Sequence, residues 1–246
     1  MTVSTPFKAA VLVNAENKED GISAVDLAFR AAFQERISSA CPGAQVDFFD
    51  PIVAQIYPEP AQYDLIVLTG GTADAMAKDV PWVLKMQDFL RTTVEKCPTQ
   101  KIVGICWGHQ IVHVAFGGAV GPMEKLEVGV TPITLTSTGS SFYSSYLPST
   151  ERYNIHQFHE MEVKTPGQGF ITLAEANQSL VNAANTILTI QGHPEMYAEL
   201  SKLLLRDTQK YMGVDAAEKE ALEINIDSPH DGIAIWKRIV QWAGEV

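Results

Sequence analysis

The chain has 246 residues, a formal net charge of −11 and three cysteines, Cys41, Cys97 and Cys106. That length can bury a full core as one α/β domain over residues 1–246 without disulfides, the odd, low cysteine count fits a reducing compartment, and the acidic balance argues against nucleic acid or an anionic membrane as a partner. Met1 to Pro6 lacks the pattern of a signal peptide, no apolar run reaches membrane-spanning length and no Cys/His spacing suggests zinc, so a soluble cytoplasmic protein without metal or cofactor is expected.

Lys8 to Val13 is an apolar run that reads as the first strand of a parallel sheet, buried on both faces. Ala15 to Gly21 reads as a polar loop, and Ser23 as the cap of a helix with Val25, Ala28, Phe29, Ala32, Phe33 and Ile37 on one stripe. Cys41-Pro42-Gly43 stops it. Gln45 to Phe49 is a second strand, Pro51 to Pro60 an irregular connection, and Asp64 to Thr69 a third strand running into Gly70-Gly71-Thr72. Consecutive glycines at a strand end permit a turn whose amides face a ligand. Val80 to Cys97 is an amphipathic helix with Pro81 in its first turn.

Next comes Lys101-Ile102-Val103-Gly104-Ile105-Cys106-Trp107-Gly108-His109-Gln110. The apolar run stops at Cys106, and helical spacing follows at Ile111, Val112, Ala115 and Phe116 up to Gly117-Gly118. Gly104-x-Cys106-x-Gly108 is a nucleophile elbow with cysteine in the serine position. Small residues on both sides let strand and helix pass closely while the strained turn exposes the nucleophile. A helix N-terminus there favours negative charge on the nucleophile. Taken alone, the same residues could be a buried structural cysteine.

From Gly121 the α/β alternation breaks. Val130 to Thr136 alternates as an antiparallel strand would; Ser137 to Thr150, rich in serine, reads as a surface loop. Phe170 to Ala176 and Ser179 to Asn182 are short strand candidates, and the whole block is expected to form a small antiparallel insertion. His156, His159 and Glu160 imitate a metal cluster, but without helical spacing they are read as none. Thr186 to Ile190 is again an apolar run, ending in Gln191-Gly192-His193-Pro194-Glu195. His193 is a candidate general base and Glu195 an acid able to orient it. Strand C-termini share one edge of an open α/β sheet, so the two strand ends can bring Cys106 and His193 together. Ala198 to Met212 is a helix, Val214 to Asp227 an acidic, solvent-facing segment, and Asp231 to Ala243 a closing helix. The alternation predicts a flavodoxin-like, doubly wound, mostly parallel sheet.

Gly104-Ile-Cys106-Trp-Gly108-His109-Gln110, followed by Gly192-His193-Pro194-Glu195, resembles the class I glutamine amidotransferase family over about Phe7 to Tyr211. The resemblance implies that fold, a Cys106-His193-Glu195 triad, and an oxyanion hole from the amides of Gly71 and Trp107. It also implies substrate contacts from Gly70, Gln110 and the His159 stretch. Family members usually carry His-x-Asp at that stretch; here His159-Glu160-Met161 places a thioether where a carboxylate is expected, and methionine is a weak acceptor. His109 is expected in a structural or pocket-wall role, and His113 is left unassigned.

The resemblance implies cleavage of a γ-glutamyl amide, in glutamine or a γ-glutamyl peptide or metabolite, through a γ-glutamyl thioester. The roughly 35 residues after Tyr211 are too few for a synthetase domain, which points to a free-standing hydrolase similar to γ-glutamyl peptidases. The alternatives are a glutaminase subunit passing ammonia to a separate synthetase, and a non-catalytic regulatory module that keeps the fold.

Overall fold

Nine strands and seven α-helices run along the described residues of the computed structural model, which are 6–14, 22–207 and 216–245. In chain order they are β1 (Lys8–Asn14), α1 (Ala24–Ala40), β2 (Gln45–Phe49), β3 (Leu65–Gly71), α2 (Pro81–Lys96), β4 (Lys101–Ile105), α3 (Trp107–Ala115), β5 (Ala119–Thr134), α4 (Ser137–Tyr143), β6 (Arg152–Thr165), β7 (Phe170–Ala174), β8 (Ser179–Asn182), β9 (Ile187–Ile190), α5 (Ala198–Asp207), α6 (Ala216–Ile226) and α7 (Gly232–Ala243). The expected polar loop at Ala15–Gly21, the end of the helix read to Met212 and the start of the acidic segment at Val214 lie outside the described residues.

One sheet has the order β2-β1-β3-β4-β9-β8-β7. Its first five strands are mutually parallel, which puts their carboxyl ends on one edge. The chain reverses direction across the sheet between β1 and β3, the switch point at which such folds bind ligands. Each buried strand feeds two cores by its period of two. Ala9, Val11 and Val13 of β1 face Phe33 and Ile37 of α1 and Ile235, Trp236, Ile239 and Trp242 of α7. Ala10 and Leu12 face Val83, Met86 and Leu90 of α2 and Ile111 and Val112 of α3. Burying each such aliphatic or aromatic side chain is worth about 1.5–3 kcal/mol, so the central strands are fixed on both faces.

The helix boundaries follow local chemistry. Ser23 caps α1 by accepting from the Asp26 amide at 3.0 Å, and Pro81 opens α2, where a missing N–H costs nothing. Arg36 is buried on α1 beside Ile37, which the apolar stripe alone does not predict.

The expected small antiparallel insertion is present as the ribbon of β5 and β6, while β7 and β8 join the main sheet, antiparallel, beyond β9. Two expectations need correction. The expected loop at Ser137–Thr150 contains α4. Thr136 caps it through the Gly139 amide, at 3.1 Å, and buried Tyr143 shares a hydrogen bond with Ser179 at 3.0 Å. A serine-rich composition conceals this helix, because its stability comes from its cap and its packing on β7. The acidic α6 is not purely solvent-facing. Asn225 clamps β5, accepting from the Val130 amide at 2.6 Å and donating to its carbonyl at 3.1 Å, while Ile226 is buried against Leu205.

Gly139 tests the packing of α4. A Cβ there would stand 1.8 Å from the Leu173 carbonyl oxygen. Gly139→Ala is therefore expected to lower stability by about 1–3 kcal/mol, read from urea midpoints. A change within about 0.5 kcal/mol, as an open surface site would give, would refute the packed helix.

Candidate active site

β4 ends at Ile105, and Cys106 stands at the turn into α3 with φ 53 and ψ −105. For a residue with a Cβ that conformation costs on the order of 1–3 kcal/mol and must be held by its surroundings. The surroundings do so by close approach. A Cβ on Gly104 would lie 2.4 Å from the Gly108 carbonyl oxygen, and one on Gly108 would lie 2.3 Å from that of Leu68. The Cys106 amide donates to Ile190 of β9 at 2.9 Å, and its carbonyl receives the Gln110 amide at 3.0 Å. The elbow is thus tied to the strand that leads to His193.

Gly104↔Thr189 and Ile105↔Ile190 are in register, so Gln191 to Glu195 leaves the sheet beside Cys106. The His193 amide donates to His156 of β6 at 2.8 Å. The His193 Nδ1 lies 2.7 Å from Glu195 Oε1, and Glu195 is fully buried. A carboxylate accepts, so Nδ1 carries the proton and Nε2 is turned away from Glu195. Arg36, which no motif singles out, donates from Nε to the Glu195 carbonyl at 3.3 Å. Burial opposes a charged imidazole, but negative charge on Cys106 and Glu195 outweighs it and raises the His193 pKa to about 10.

Gly70 and Gly71 end β3 next to these groups. A Cβ on Gly70 would lie 3.0 Å from His193 Cε1, and one on Gly71 would lie 2.7 Å from the Asn14 carbonyl oxygen. Asn14, in register with Gly71, accepts nothing with its buried Oδ1 from the described residues, but its amide nitrogen Nδ2 donates to the Thr69 carbonyl at 2.9 Å. The Trp107 indole donates to Ala73 at 2.8 Å and packs 4.9 Å from the Trp82 ring, which fixes the glycine loop from beneath. The backbone amide of Trp107 opens α3, where helix geometry supplies no acceptor.

Gln110, read as a substrate contact, is 5% exposed and commits Nε2 internally, to the Met161 carbonyl at 3.0 Å and Gln191 Oε1 at 3.3 Å. His159 is buried, with Nδ1 at 3.0 Å from the same carbonyl and Nε2 at 3.0 Å from Glu127 Oε2. His113 is structural: it accepts from the Gly167 amide at 3.0 Å, meets Thr189 Oγ1 at 3.1 Å, and is pushed down to about 4 by burial. His109 stacks edge-on against it, fully buried and well below the usual imidazole range because of that burial. His156 Nδ1 pairs with Ser201 Oγ at 3.0 Å, and among the described residues no three His, Cys, Asp or Glu side chains gather as a metal site requires. Among the same residues no helix is long and apolar enough to cross a membrane. Glu127, Asn14 and Arg36 carry no motif; only their burial or partners, supplied by the fold, draw them to the site.

Residues 37–209 match the family model for glutamine amidotransferase class-I. The chain is 39% identical to the glutamine amidotransferase-like protein chyE of Penicillium rubens, over 97% of this chain and 98% of the relative. It is 28% identical to gamma-glutamyl peptidase 5 of Arabidopsis thaliana, over 64% of each chain. It is 31% identical to a glutamine-hydrolyzing GMP synthase subunit of Sulfurisphaera tokodaii, over 54% of this chain and 68% of that one. Among solved structures, a glutamine amidotransferase from Thermotoga maritima superposes with a TM-score of 0.68 at 18% identity, covering 96% of this chain and 99% of that one.

A raised pKa on His193 has a definite sign in stability. From its ordinary 6.5 to about 10, the group contributes stability that is complete below pH 6.5 and lost as pH rises through 10. Cys106→Ala removes one of the two negative partners. His193 in this variant is therefore expected to titrate at lower pH than in the wild type by NMR, with a shallower alkaline loss of stability. An unchanged titration would show that Cys106 does not hold the imidazolium.

Proposed function

The chain belongs to the class I glutamine amidotransferase family, and from that premise we propose that it is a cysteine-nucleophile amidohydrolase that cleaves a γ-glutamyl amide. The observation that carries this reading is the strained Cys106, φ 53, tied to the strand end where His193 lies 2.7 Å from buried Glu195.

In the proposed reaction the Cys106 thiolate attacks the γ-carbonyl carbon, and the carbonyl π pair moves to oxygen. The amides of Gly71 and Trp107 receive that oxyanion. As the tetrahedral intermediate collapses, the His193 imidazolium gives its Nε2 proton to the leaving nitrogen and the C–N bond breaks. Neutral His193 then takes a proton from water, which attacks the γ-glutamyl thioester. Glutamate leaves, and the thiolate–imidazolium pair is restored. Glu195 holds the tautomer throughout. Every step uses residues of this chain.

Met161 and the gamma-glutamyl peptidase relative favour a γ-glutamyl peptide or metabolite over glutamine alone. The likeness to a component of GMP synthase supports a second reading, in which the leaving ammonia passes to a separate synthetase. A substrate-specific assay separates the two.

Glutamate release by mass spectrometry is expected from glutathione-type substrates and to be abolished by Cys106→Ala. Glu195→Gln should lower kcat by about a hundredfold or more. Release from glutamine alone would favour the ammonia-supplying reading. Full activity in Cys106→Ala would overturn the mechanism.

A further inference from the structure

The Met161 carbonyl is a junction. It receives Gln110 Nε2 and faces His159 Nδ1, each at 3.0 Å. Because a carbonyl only accepts, His159 Nδ1 bears hydrogen there. The other ring nitrogen lies 3.0 Å from a carboxylate oxygen of Glu127, a close contact without the alignment of a hydrogen bond. Glu127 in turn receives Gln178 Nε2 at 3.2 Å, and the Gln178 carbonyl receives the Gln191 amide at 2.9 Å. Gln191 Oε1 closes the circuit by accepting from Gln110 at 3.3 Å.

The two ends of this ring sit on the two catalytic segments. Gln110 is one helical turn beyond Cys106, and its amide donates to the Cys106 carbonyl. Gln191 is two residues before His193. Glu127 is the ring's one carboxylate, and its side chain is 29% exposed while that of His159 is 2% exposed. It is held in place from both sides. Before it, β5 makes a large irregularity between the pairs Pro122↔Met161 and Glu127↔His159. Just after it, Asn225 clamps Val130. The His159 contact draws the Glu127 carboxyl below the usual range, which keeps the negative partner in place at neutral pH.

We propose that Glu127 is a positioning residue for substrate recognition: acting through His159 and Gln178, it fixes the Met161–Gln110 wall one turn from the nucleophile, in register with the segment that carries His193. The proposal rests on the γ-glutamyl hydrolase reading and deepens it. It also accounts for a methionine at position 161. The main chain there is held by Gln110 and His159, and the negative charge that orients the stretch stands across the ribbon instead of at 161.

The ring holds the main chain at Met161 and the side chain of Gln110 and does not include Cys106, His193 or Glu195, so its loss should weaken binding more than chemistry. Glu127→Gln keeps the shape and removes the charge. It is expected to raise KM for glutamate release about tenfold or more while kcat stays within about threefold. The rate of Cys106 alkylation by iodoacetamide, a reagent that needs no recognition of a glutamyl group, should be unchanged. Glu127→Asp should recover part of the loss in KM. Gln178→Ala, which spares the Glu127–His159 contact and the main-chain bond to Gln191 but removes the side-chain bonds to Glu127 and Gln157, should show a smaller rise in KM; it serves as the second variant if Glu127→Gln does not fold. An unchanged KM in the folded variants would overturn the inference and leave the hydrolase reading intact. So would a fall in kcat matched by slower alkylation, which would place Glu127 behind the nucleophile itself. A wild-type protein that releases no glutamate from glutamine or glutathione would overturn the hydrolase reading, and this inference with it.

Discussion

The backbone at Cys106 is the constraint on which the site depends. A side chain at φ 53 is held there only if strand, turn and helix are fixed together. The fixing comes from contacts that tolerate no side chain, Gly104 against Gly108 and Gly108 against Leu68. It also comes from the Cys106 amide, which is bonded to Ile190 of the adjacent strand. The strain and the His193 partnership therefore have one source. The strand that holds the elbow in place is the strand that delivers the histidine.

A second constraint is the charge balance behind the turn. His193 is buried, which alone lowers an imidazole pKa, and negative charge on Cys106 and Glu195 outweighs that burial and raises it. Glu195 is itself fully buried, with its main chain held by Arg36 from α1. The other histidines near the elbow behave in the opposite way. His109 and His113 lack a carboxylate and are kept neutral by burial. Within one short helix and the turn beside it, negative neighbours separate a raised imidazole, His193, from two lowered ones, His109 and His113.

Much of this arrangement is legible in the sequence, for identifiable reasons. Runs such as Lys8–Val13 and Ile102–Ile105 are apolar on both faces, and only a central parallel strand buries both. Glycines flanking Cys106 and a His-Pro-Glu turn mark strand ends because each has a local steric or chemical cause. What is not legible depends on partners distant in sequence. The helix at Ser137–Tyr143 exists through a cap and through packing on β7, neither of which appears as periodicity. Strands β7 and β8 give no sign of which sheet they extend. Arg36, Asn225 and Glu127 look like surface polar residues until the fold closes over them. Gln110 is conspicuous beside the motif, yet the structure directs its Nε2 inward.

The pairing of β4 with β9 has a consequence for how the protein is made. Gly104 and Thr189 are neighbours in space but distant along the chain, and pairings of that kind form late, because the loop between them must close first. During synthesis from the N-terminus the first strands can assemble while residues near 190 are still untranslated. The thiol of Cys106 then has neither its imidazole nor the amide partner that maintains its backbone twist. The geometry at this cysteine is thus conferred by completion of the sheet, and an unfinished chain lacks both contacts.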